Sequence, residues 1–103
     1  MKTNERDTKL EYLFKAILSL EDIRECSEFF EDLCTISELQ EMSRRLYAAR
    51  LLNSGHVYSD IAEKTGLSTA TISRVNKALK FGSDGYIRIL ERIDLIEKAD
   101  KLR

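Results

Sequence analysis

Apolar residues recur along this chain with helical spacing, and nowhere do they alternate over the length of a strand. Leu10, Leu13, Phe14, Ile17 and Leu18 follow the i, i+3, i+4, i+7, i+8 pattern and predict a first helix from Asp7 to Leu18. Ser19 followed by Asp22 reads as an N-cap signal for a second helix carrying Ile23, Cys26, Phe29, Phe30 and Leu33. Thr35 followed by Glu38 fits a capping box, in which each residue satisfies the other's backbone N–H. It opens a longer third helix through Leu39, Met42, Leu46, Ala49 and Leu52, ending near Asn53-Ser54-Gly55. Two short helices are predicted over Ser59–Lys64 and Ser68–Lys80. A turn at Gly82-Ser83-Asp84-Gly85 precedes a last helix with Tyr86, Ile89, Leu90, Ile93 and Ile96. The expectation is an all-α protein of six helices forming one domain over residues 1–103, with residues 1–8 a flexible arm.

The segment from Tyr58 to Val75 carries the chemistry. Ile61 and Ala62 point inward on the first short helix, and Gly66 supplies a positive φ for the turn. Ile72 and Val75, three apart, line the inner face of the second. This is the form of a helix-turn-helix spanning about 58–80. Thr69, Ala70, Ser73, Arg74 and Lys77 fall on the outer side, where a recognition helix meets bases and phosphates. Ser68 is expected to cap the second helix through the Thr71 N–H, with a phosphate contact as its rival role. Tyr58 and Ser59 are placed for backbone phosphates, and Lys80 joins Arg74 and Lys77 as a cationic contact. Thr69, Ala70 and Ser73 are too short to grip a guanine edge with two bonds, so thymine methyls and DNA shape must carry much of the specificity.

The net charge of −1 argues against such a partner only as an average. Residues 1–43 hold 5 basic and 11 acidic groups; residues 44–80 hold 7 and 2; residues 81–103 hold 5 of each. The helix-turn-helix therefore sits in a segment of charge +5 (7 − 2), and local potential steers an anionic ligand. The composition, 43% apolar and 34% charged with no Pro or Trp, suits a soluble helical domain. No apolar run is long enough for a membrane span, and the polar first nine residues lack a signal-peptide core, so the expected compartment is cytoplasmic. Cys26 and Cys34 have no C-x-x-C spacing and read as reduced packing residues; the single His56 reads as a solvated turn residue. No nucleophile–base set, phosphate loop or metal cluster is present in the sequence, so no enzyme is expected. Several helices are apolar over wide faces, which a small monomer covers poorly, and a second copy would cover them. The competing function is a protein-interaction module in which the helix-turn-helix is purely structural.

Leu33-Cys34-Thr35, Arg45, Leu51-Leu52-Asn53-Ser54-Gly55, Thr71-Ile72-Ser73-Arg74 and Ala78-Leu79-Lys80 together resemble the Trp repressor superfamily, and within it the short bacterial YerC/YecD-type subgroup. The likeness implies an intertwined all-α homodimer that binds palindromic double-stranded DNA as a transcriptional regulator, most simply a repressor, with water-mediated contacts in the groove. It also implies a candidate ligand pocket. Thr35, Arg45 and Arg74 match positions that hold a tryptophan corepressor, with Arg74 alternatively paired to an acidic residue. Val75 stands where the superfamily's repressor has glycine, and Ala78 where it has a serine that binds the ligand's amino group. The valine adds bulk and the alanine removes a polar partner, so tryptophan is not expected as corepressor, and no cofactor is expected; a different small ligand stays open.

Overall fold

The computed structural model describes residues 7–102, and among them it contains six α-helices and no strand. They are α1 (Thr8–Leu18), α2 (Ile23–Leu33), α3 (Ile36–Asn53), α4 (Tyr58–Thr65), α5 (Thr69–Phe81) and α6 (Gly85–Lys101). Among the described residues, no helix is long and apolar enough to cross a membrane. The chain forms two compact units, residues 1–39 and 40–103, the boundary falling in the first turns of α3.

In the first unit, Asp7 caps α1 by accepting from the N–H groups of Lys9 and Leu10, and Thr8 is already helical. Residues 1–6, most of the expected arm, lie outside the described residues. Asp22 alone caps α2; Ser19 closes α1 instead, its hydroxyl donating to the Ala16 carbonyl at 2.7 Å. A short hydroxyl at a helix end can serve either terminus, and the spacing to Asp22 does not decide which. The capping box forms as expected: the Thr35 N–H donates to Glu38 Oε1 at 2.8 Å and the Glu38 N–H to Thr35 Oγ1 at 3.1 Å. The Thr35 backbone N–H, and after it the hydroxyl, hold the Glu38 carboxyl below its usual range. That cap is therefore in force above the normal carboxylate range and is lost as pH falls through the lowered value. Neither α1 nor α2 contains a buried residue; Leu18 and Ile23 are 84% and 88% exposed.

The second unit holds the core. Ala48, Ala49, Leu51, Ile61, Leu67, Ile72, Val75, Leu79 and Leu90 are buried together. Alanines at 48 and 49 let backbones approach, and α5 contributes three of the nine residues from one face, Ile72, Val75 and Leu79. The end of α3 is a Schellman motif: the His56 N–H donates to the Leu51 carbonyl and the Gly55 N–H to that of Leu52, with Gly55 at φ 89°. Asp84, at φ 64°, precedes α6 without a side-chain capping bond.

Gly82 and Gly85 flank the α5–α6 turn but obey different constraints. A Cβ at residue 82 would lie 2.3 Å from the Ala78 carbonyl oxygen, the atom that accepts the Gly82 N–H; at residue 85 it would meet open space. Gly82→Ala should therefore destabilise the fold by about 1–3 kcal/mol, whereas Gly85→Ala should be neutral or stabilise by about 0.4–1 kcal/mol. Denaturant midpoints at one fixed protein concentration check this, and equal effects of the two would contradict it.

Candidate nucleic-acid interface

Two helices and one turn build the interface. Gly66 ends α4 at φ 74°, the left-handed conformation expected of it, and its N–H donates to the Ala62 carbonyl at 2.9 Å. The neighbouring Thr65 does as much for the turn. Its hydroxyl donates to the Ile61 carbonyl at 2.7 Å and accepts from the Leu67 N–H at 3.2 Å, tying the end of α4 to the buried Leu67. Sequence reading missed Thr65, since nothing but its place beside the turn glycine marks it. Leu67 in turn carries the chain into Ser68, the cap of α5.

Ser68 accepts from the Thr71 N–H at 3.2 Å and donates its hydroxyl proton to Thr71 Oγ1 at 3.1 Å. The capping role is thus filled, and Ser68 remains exposed. With Ile72, Val75 and Leu79 anchored in the core, helical geometry turns the opposite face of α5 to solvent. Thr69, Ala70, Ser73, Arg74, Lys77 and Lys80 are all exposed. No acidic side chain lies in the first turn of α5, and among the described residues none forms an ion pair with Arg74, Lys77 or Lys80. The acidic pairing considered for Arg74 is absent from the described residues of the chain. By contrast Lys64 on α4 is engaged, 3.4 Å from Asp60.

Tyr58 is half-buried and packs against the core, while Ser59 is exposed beside it in the first turn of α4. Val57 precedes them with no side-chain capping bond, so the leading N–H groups of α4 have no side-chain acceptor. His56 is corrected. It is half-buried rather than solvated, with Nδ1 3.1 Å from the Leu51 carbonyl, because the Schellman turn folds it back over the end of α3.

The residues of the candidate ligand pocket fall in both units. Thr35 belongs to the first, where its side chain is used by the capping box. Arg45, Arg74, Val75 and Ala78 belong to the second. Arg45, Arg74 and Ala78 are exposed, and Val75 is 4% exposed within the core. Val75 is thus a packing residue of the helix-turn-helix, and the Ala78 methyl offers a ligand no hydrogen bond. Cys26 and Cys34 are half-buried free thiols, and no cluster of three or more metal-binding side chains occurs among the described residues.

Known proteins share this arrangement. The family model for the Trp repressor protein matches residues 8–94. The protein YerC of Bacillus subtilis (strain 168), itself uncharacterised, is 50% identical over 88 residues, covering 85% of each chain. The crystal structure of a TrpR-like protein from Eubacterium eligens superposes with a TM-score of 0.84 at 53% identity, over 86% of this chain and 92% of that one. A candidate Trp repressor from Staphylococcus aureus gives 0.83 at 47%, over 86% and 89%. The six-helix order, the left-handed turn at Gly66 and a family match spanning most of the chain agree: this protein belongs to the Trp repressor family.

Proposed function

We propose that this chain is a sequence-specific DNA-binding transcriptional regulator, acting as a homodimer and without tryptophan as its corepressor. One observation carries the reading: α5 is anchored by three buried residues while Arg74, Lys77 and Lys80 stand exposed with no acidic partner among the described residues. Cations left unpaired on one helical face, beside short hydroxyl and methyl side chains, suit phosphates flanking a groove floor. The dimer is supported by the first unit, whose two complete helices contain no fully buried residue and so leave apolar side chains in need of a cover. Two heads related by a two-fold axis would read half-sites about one helical turn apart, and the simplest consequence of such occupancy is repression. The protein then acts by binding, not by catalysis.

Lys77→Ala and Lys80→Ala should each weaken DNA binding across sequences and lower the slope of log K against log salt by about 1. Fluorescence anisotropy over a salt series reads this directly. Unchanged slopes would contradict the reading and leave α4 and α5 as a structural hairpin. Tryptophan calorimetry should show no micromolar binding, because Val75 belongs to the core and Ala78 leaves the ligand's ammonium without a partner. A micromolar dissociation constant would overturn that part of the proposal.

A further inference from the structure

The corner at residues 54–57 carries the chain from α3 into the helix-turn-helix. Gly55 turns its backbone, and a single side chain ties it back to α3. The Leu51 carbonyl, in the last turn of α3, accepts twice from His56: from the backbone N–H at 3.0 Å and from ring Nδ1 at 3.1 Å. A carbonyl oxygen cannot donate, so in the neutral ring Nδ1 carries the proton and Nε2 the lone pair. Leu51 is itself buried in the core, so the half-buried ring is tied to a fixed point. Among the described residues no carboxylate pairs with His56, and no other side chain of the corner makes a hydrogen bond. The core also joins α3 to the helix-turn-helix, through Ala48, Ala49 and Ile61. Aliphatic burial is non-directional, however, and sets a tilt loosely. The ring supplies a directional bond at the pivot.

We propose that His56 is a positioning residue for DNA recognition: its Nδ1–H, held by the Leu51 carbonyl, fixes the angle at which α4 and α5 together leave α3. The inference rests on the DNA-binding reading and deepens it. In a two-fold dimer the separation of the two recognition helices follows from that angle, and with it the half-site spacing bound best. Without the ring bond α4 and α5 sample several tilts. Only the fraction at the competent tilt binds, and the apparent affinity falls by that fraction. The phosphates contacted in the bound state are the same, so the salt dependence is unchanged.

The test compares His56→Leu with His56→Asn in the full chain. The two replacements are nearly the same shape, but only asparagine presents an N–H where Nδ1 stands. The probes are an operator recovered by DNA selection and versions of it with one base pair more or fewer between half-sites. His56→Leu should bind the operator roughly 2- to 10-fold more weakly, at an unchanged salt slope, and should discriminate less among spacings. His56→Asn should restore both affinity and discrimination. Wild-type behaviour of the leucine variant, no rescue by asparagine, or a lowered salt slope, which would mark a phosphate contact, overturns the proposal and leaves the DNA-binding reading standing. A wild type that binds no DNA overturns both. Nitrogen-15 NMR guards against a variant that fails to fold, because the wild-type chain has a single histidine. The neutral ring should be protonated at Nδ1; protonation at Nε2 instead would overturn the proposal without any variant.

Discussion

Ile72, Val75 and Leu79 fix α5 in the core of the second unit, and the other features of the candidate interface follow from that anchoring. A helix held by three side chains on one face has no freedom to rotate about its axis without emptying the core. Its remaining faces are therefore presented in one orientation: short side chains on the first turns, then Arg74, Lys77 and Lys80. The turn before it is fixed with similar economy. Gly66 supplies the left-handed backbone, Thr65 joins Ile61 to Leu67, and Ser68 accepts one of the orphan N–H groups of α5, that of Thr71. A geometry built from backbone bonds and buried aliphatics is preorganised, so binding need not order it.

The same anchoring is the physical basis of the proposal that this chain does not use tryptophan, since Val75 is part of it. A glycine at that place leaves room for a ligand to complete the packing; a valine completes it from within the protein. On the proposed reading, the cost of seating α5 is met during folding, without a corepressor to set the helix.

Much of this was legible in the sequence, for reasons that differ by residue. Helical periodicity and the capping signals at Thr35–Glu38 and Ser68 are local, and each formed as read. The left-handed turn at Gly66 was legible because few other residues tolerate that conformation. Ser19 misled, since a hydroxyl between two helices can close one or open the next. His56 and Thr65 were opaque for another reason: their roles depend on which carbonyl the folded chain brings within reach, and sequence spacing does not encode that. Val75 was read as both a core residue and an obstacle to a ligand, and its burial bears out the first. The two-unit division was not anticipated, because helical periodicity shows which face is apolar but not what will cover it.

The apolar faces of α1 and α2 complete the account, because a protein that leaves Leu18 and Ile23 exposed has not finished burying its own surface. In the proposed homodimer a second copy supplies what is missing, and its two-fold symmetry would give the DNA target its form. The most direct measurement is selection of genomic DNA fragments by the purified protein, with no small molecule added and the salt concentration fixed. Enrichment of a palindrome whose half-sites lie about one helical turn apart is the predicted result. Enrichment that appears only when tryptophan is supplied, or of no palindrome at all, would contradict a ligand-free dimeric regulator.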